Sequence, residues 1–177
     1  MKTAFVDVDS QLDFLYPAGA LYVPGAEKIV PAIAALNRFA AANDIPLIST
    51  ADAHFEDDPE FRQWPPHCVA GTLGQRKAES TLVGGGQFIA EKQTVDVFQA
   101  PSFLAAIETV AAESYVVYGV VTEICVLYAA RGLLKLGRRV AVVTDAIKEL
   151  GPTDTLQQLA AAGATLTTVS ELLAVNC

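Results

Sequence analysis

The sequence predicts a three-layer α/β/α domain with a mainly parallel, Rossmann-like six-stranded sheet and helices on both faces. Short apolar runs alternate with helix-length runs along the chain, the pattern of repeated βαβ units. The run Ser114 to Val120 reads as a buried strand and passes directly into an apolar, Ala-rich helix. Length and composition agree: 177 residues, 52% hydrophobic and 18% charged, suit one compact domain (1–177) with a substantial core.

In order, Thr3 to Val8 is the first strand and Ala26 to Asn43 an amphipathic helix. Strands follow at Pro46 to Thr50 and at Phe88 to Ala90, the latter inside the run Gln87–Lys92. Ser102 to Ala112 is a helix, Ser114 to Val120 a strand, Thr122 to Leu136 a helix and Arg139 to Thr144 a strand. Thr153 to Ala162 is a helix, Thr165 to Val169 a strand and Ser170 to Val175 a short closing helix. In such sheets, ligands bind beyond the carboxyl ends of the strands. One region breaks the alternation: Ala51 to Gly86 shows no clear element, and a loop that long in a compact domain is usually functional.

The balance of charges excludes several partners. A net charge of −8 argues against nucleic acid and anionic membrane, both of which need basic patches. No stretch approaches the ~20 uncharged apolar residues of a spanning helix, and the start of the chain does not read as a signal peptide. Three cysteines far apart in sequence make no disulfide framework, so a reducing, cytoplasmic setting is expected.

Cys125 lies where the apolar strand ends and the Ala-rich helix begins. A thiol in a first helical turn faces unpaired N–H groups and the positive end of the helix dipole, which lower its pKa and make a usable nucleophile. A packing role is the alternative for any free cysteine. Asp7 and Asp9 interrupt the first strand, where a doubly buried strand would read as continuous Val, Ile and Leu. A carboxylate there needs a cation or a proton. Asp9, at the mouth, can reach the same crevice as Cys125, whereas Asp7 is one step deeper and is expected to be a buried, hydrogen-bonded residue. Lys92 closes the third strand and can hold Asp9 ionised.

Both histidines fall in the long loop. Asp52-Ala53-His54 follows the second strand, and residues two apart in an extended segment point the same way, which suits two ligands on one ion. His67, from the far end of the loop, would complete three protein ligands with positions left open. Two unconnected surface histidines are the alternative. Cys68 is a further soft donor, but as the neighbour of His67 it is expected to point away.

Taken together, the chain resembles the isochorismatase-like cysteine hydrolases, and among them the metal-containing nicotinamidases. Asp9-Ser10-Gln11-Leu12-Asp13-Phe14 is similar to the family's Asp-x-Gln-x-Asp-Phe opening, and Asp52-Ala53-His54 to its Asp-x-His metal pair. Trp64-Pro65-Pro66-His67-Cys68-Val69-Ala70-Gly71-Thr72-Leu73-Gly74 is similar to its Trp-Pro-x-His-Cys-Val-x-Gly-Thr-x-Gly segment, and Gly119 to Cys125 to its nucleophile segment. The resemblance implies a catalytic set of Asp9, Lys92 and Cys125, with an oxyanion site at the backbone N–H groups of Val121 and Cys125. It implies a cis Val120–Val121 peptide and a divalent metal, zinc by the family's habit, on Asp52, His54 and His67, without an organic cofactor. Phe14, Trp64 and Phe98 are expected in the substrate pocket. The family's further metal-side residue has no clear match; Glu56, Asp57 and Asp58 are the available stand-ins. The implied activity is hydrolysis of nicotinamide or a close aromatic carboxamide to the acid and ammonia through a thioester. Another small amide, a ureido compound or an enol ether is the alternative, and a homo-oligomer is expected.

Overall fold

A computed structural model describes residues 2–174 of the chain. Its strands are β1 (Thr3–Val8), β2 (Leu47–Asp52), β3 (Gln87–Lys92), β4 (Ser114–Val120), β5 (Arg139–Lys148) and β6 (Thr165–Thr167). They form one all-parallel sheet in the order β3-β2-β1-β4-β5-β6. The helices are α1 (Leu12–Leu15), α2 (Val30–Ala42), α3 (Pro101–Val110), α4 (Leu127–Lys135), α5 (Thr155–Ala161) and α6 (Val169–Ala174). The chain winds one way from β1 to β3 and the other way from β4 to β6. Right-handed crossovers therefore place helices on both faces. No helix among the described residues is long and apolar enough to cross a membrane.

The order of strands fixes where chemistry can occur. β1 and β4 are neighbours at the point where the winding reverses, the place where a crevice opens beyond the strand ends. β1 and β2 are almost wholly buried, and β4 lies close against β1 at its carboxyl end. Gly119 permits that approach: its φ is 121°, and a Cβ there would stand 2.0 Å from the Val8 carbonyl oxygen.

Several boundaries differ from the sequence expectation for local reasons. The expected helix Ala26 to Asn43 begins as a separate 3-10 turn, Ala26–Lys28, and α2 proper starts at Val30 with Pro31 in its first turn. β6 stops at Thr167 because Thr168 and Glu171 form a capping box. Thr168 N–H donates to the Glu171 carboxylate at 2.9 Å, and Glu171 N–H donates to Thr168 Oγ1 at 3.3 Å. Val175, expected to end the closing helix, lies outside the described residues. β2 runs further than expected, to Asp52, which is the register partner of Lys92 at the expected end of β3.

The long loop is stitched to the sheet. Its return segment runs beside the residues after β1: Leu12 N–H donates to Arg76 O, Asp13 N–H to Gly74 O and Ala78 N–H to Ser10 O. Lys77 is buried beneath it, with Nζ 2.9 Å from Asp7 Oδ2 and 2.6 Å from Ser10 Oγ. Asn37 donates to the same Asp7 oxygen at 2.8 Å and accepts from Tyr118 Oη at 2.6 Å. Asp7 is thus a buried, ion-paired residue that ties loop, sheet and α2 together.

Candidate active site

The carboxyl ends of β1, β2, β3 and β4 bring Asp9, Asp52, Lys92 and Cys125 into one crevice. Cys125 is 6% exposed and sits in a wide, π-helical turn, Thr122–Val126, that opens α4. Val126 N–H reaches back to Val121 O at 3.1 Å, one residue further than an α-turn would. Turns of this kind are frequent at functional positions. The Val120–Val121 peptide is cis.

Asp9 is fully buried and has a left-handed backbone, φ 49°. Thr50 holds it through three hydrogen bonds: the Asp9 N–H donates to Thr50 O and Oγ1, each at 3.2 Å, and Asp9 Oδ1 accepts from Thr50 Oγ1 at 2.5 Å. Its other oxygen lies 3.0 Å from Lys92 Nζ, an ion-pair contact off the line of a good hydrogen bond. Lys92 Nζ also lies 3.6 Å from Cys125 Sγ and donates to Asp52 Oδ1.

Burial sets the protonation of this group. It pushes the Asp9 carboxyl above its ordinary value, with Lys92 pulling the other way. A helix start favours a lowered thiol pKa, yet here burial wins and lifts the Cys125 thiol well above its ordinary value despite Lys92. Burial works against the Lys92 charge as well, but Asp52 and Asp9 outweigh it and keep the ammonium firmly protonated. The thiol is therefore protonated at rest, and a base rather than a preformed thiolate has to activate the sulfur.

Beside this group stands a second one. The donor atoms of Asp52, His54 and His67 lie within 4.8 Å of one another, and all three residues are buried. Asp52 Oδ2 is 3.8 Å from His54 Nε2 and 3.9 Å from His67 Nε2. Two tetrahedral ligands with bonds of about 2.1 Å stand about 3.4 Å apart, so the cluster is close to ion-binding dimensions. His54 Nδ1 lies 3.0 Å from Asp58 Oδ2 and His67 Nδ1 2.8 Å from Pro65 O. Those partners fix the tautomer that turns each Nε2 lone pair inward. His54 Nε2 is buried without a hydrogen-bond partner. Burial opposes charging His54, but the carboxylates of Asp52 and Asp58 raise its pKa to about 9, so an ion bound at Nε2 would take the place of a proton there. These residues fit a divalent cation.

A cavity joins the two groups. Asp9, Asp52, Glu60, His67 and Cys125 line it, with Phe14, Leu21, Trp64, Val95, Val120, Val121, Ile124 and Leu150 as apolar walls. Its free volume is about 20 Å³, room for roughly one water. Phe14 and Trp64 are among its lining residues. Phe98 is not: it lies on the other side of α4, against Phe103 and over Gly132, where a Cβ would stand 1.9 Å from its ring.

The metal-side stand-ins separate in the same way. Glu56 and Asp57 are exposed, and Asp58 stands behind His54 rather than facing the cluster. The carboxylate that does face it is Glu60, with Oε1 4.0 Å from His67 Nε2. Sequence reasoning missed it. The available signal was Asp58-Pro59: the Asp58 side chain caps the turn Pro59–Arg62 by accepting from Glu60 N–H at 2.9 Å, which turns Glu60 inward. Gln11 of the opening motif, given no role from the sequence, braces Asp52: its side-chain amide donates to Asp52 O and accepts from Asp52 N–H, both at 2.7 Å.

Residues 3–171 match the family model described as the Isochorismatase domain. The chain belongs to the isochorismatase family. It is an isochorismatase-like hydrolase by fold as well as by sequence. It is 28% identical to the pyrazinamidase of Pyrococcus horikoshii solved in complex with zinc, over 95% of this chain and 99% of that one, at a TM-score of 0.88. It is 27% identical to the N-carbamoylsarcosine amidase of Thermoplasma acidophilum, over 96% and 97%, at 0.86. An isochorismatase-like hydrolase from Alkaliphilus metalliredigens, 23% identical over 99% of both chains, shares the fold at 0.90. No curated protein sequence matches the chain.

Proposed function

We propose that this isochorismatase-family hydrolase is a cysteine amidohydrolase of small, neutral aromatic carboxamides, nicotinamide or a close analogue, with a divalent metal on Asp52, His54 and His67. One observation carries the reading: a single cavity is lined by Cys125 and Asp9 together with Asp52 and His67. Its charged walls Asp9, Asp52 and Glu60 are acidic, and among the described lining residues there is no Arg or Lys. No Arg or Lys among these lining residues stands ready to pair with the carboxylate of a ureido acid or enol ether, whereas a neutral amide needs no such partner. Phe14 and Trp64 suit a flat ring. The present free volume is too small for one, so entry displaces the partly exposed walls Leu21, Trp64 or Leu150.

In this mechanism Asp9 takes the thiol proton as Cys125 Sγ bonds to the amide carbon. The N–H groups of Val121 and Cys125 stabilise the oxyanion. Asp9 returns the proton to the departing nitrogen, the C–N bond breaks, and ammonia leaves a thioester on Cys125. Asp9 then deprotonates a water that attacks the thioester; the acid departs, and the sulfur regains a proton. Lys92 orients Asp9 and favours its charged form before each proton is taken up. His54, His67 and Asp52 would hold a divalent ion, which would supply Lewis acidity beside the substrate.

The test is ammonia release from nicotinamide, pyrazinamide, short aliphatic amides and ureido acids by zinc-loaded protein. Turnover concentrated on the two aromatic amides is expected. Activity confined to the aliphatic or ureido compounds overturns the substrate reading and leaves the hydrolase class standing.

A further inference from the structure

The two groups in the cavity are not independent, because they share one cation. Asp52 divides its carboxylate: Oδ2 is turned toward the Nε2 atoms of His54 and His67, and Oδ1 accepts from Lys92 Nζ. Lys92 in turn faces Asp9 Oδ2 at 3.0 Å and Cys125 Sγ at 3.6 Å, and is 1% exposed. One buried ammonium therefore answers to two carboxylates, and deprotonating Cys125 places a third negative charge on it. Water cannot screen that imbalance at such depth.

We propose that Lys92 couples the metal position to Cys125, so that a divalent ion on Asp52 releases the lysine's charge toward Asp9 and the sulfur and makes the thiol more reactive than in the metal-free protein. The inference rests on the reading of Asp52, His54 and His67 as a metal position. It adds a second consequence of occupancy, one that operates on the nucleophile whether or not substrate is present. Coupling of this kind is reciprocal, so a thiolate at Cys125 tightens the metal as much as the metal favours the thiolate.

The experiment uses the full chain, stripped with chelator and then reloaded with zinc, with stoichiometry measured by calorimetry. Thiolate at Cys125 is followed by ultraviolet absorbance against the Cys125→Ala protein, and reactivity by iodoacetamide alkylation at neutral pH. Zinc is expected to speed alkylation of Cys125 about tenfold, the effect of one unit in a thiol pKa, with a matching gain in thiolate absorbance. In Lys92→Met, the zinc effect should shrink to under about threefold. Should that variant fail to fold, Asp52→Asn without metal serves instead: a neutral amide hands Lys92 over, and alkylation should exceed that of metal-free wild type. One-to-one zinc binding with unchanged absorbance and alkylation overturns the coupling alone. Absence of zinc binding overturns the metal reading and the coupling with it. A zinc effect undiminished in Lys92→Met shows a direct field rather than a relay and also overturns the proposal.

Discussion

Asp52 and Lys92 are register partners on β2 and β3, and the lysine's ammonium donates to the aspartate's Oδ1. The pair places the Asp52 carboxylate between Lys92 and β1, so the lysine reaches Asp9 only past Asp52. Replacing Lys92 with Met leaves two buried carboxylates without their cation. A loss of about 3–5 kcal/mol is expected, the usual result of removing one partner of a buried pair. Urea unfolding of metal-free protein checks it; stability within about 1 kcal/mol of wild type contradicts the assignment.

Cys125→Ala should abolish amide hydrolysis while zinc content stays at the wild-type value, because the sulfur lies outside the Asp52–His54–His67 cluster. Turnover assays and metal analysis of the same preparation decide it. Surviving amidase activity excludes Cys125 as nucleophile.

The pH dependence follows from Asp9. Burial raises its carboxyl pKa, and the charged form is the base, so kcat/KM should fall as pH drops through a value above the ordinary aspartate range. The Thr50 hydroxyl stabilises the charged form. Thr50→Val should therefore move the acid limb to higher pH. A limb that stays put, or moves down, shows that another group is the base.

Trp64 and Phe98 should part company in kinetics. Trp64→Ala removes a cavity wall and is expected to raise KM for an aromatic amide several-fold, the loss of one ring contact worth roughly 1 kcal/mol. Phe98→Leu should lower the melting temperature, since the ring packs on Phe103 and Gly132, and leave KM unchanged. A KM effect from Phe98 would return it to the pocket.

Lys77 and Asp7 offer a test of the loop's anchorage. Lys77→Met strands the Asp7 carboxylate at full burial and should cost about 3–5 kcal/mol. The double change Asp7→Leu with Lys77→Met should recover part of that loss, because it removes both charges. Chemical denaturation of the three variants measures the coupling. Additive losses would show that the pair is not one unit.

The sequence carried much of this arrangement for a physical reason. Asp9, Lys92 and Cys125 each end an apolar run, and a parallel sheet brings strand ends to one edge. His54 and His67 stood out because no other histidine competes for attention. What it could not carry is set by tertiary register and direction. Nothing local says that Lys92 lies beside Asp52, that Glu60 rather than Asp58 faces His67, or that the Phe98 ring points across α4. The same limit applies to the Cys125 thiol: its helix-start position is visible in the sequence, while the burial that overrides that position belongs to the packed interior.

The left-handed backbone at Asp9 has a consequence for which residue can serve as base. A φ of 49° is cheap for glycine and tolerable for aspartate or asparagine, whose short side chains suit that conformation, and strained for longer side chains. Glutamate carries the same charge but is poorly suited to that backbone. The proton acceptor is therefore selected twice at this position, once by its chemistry and once by the shape of the chain, and aspartate satisfies both.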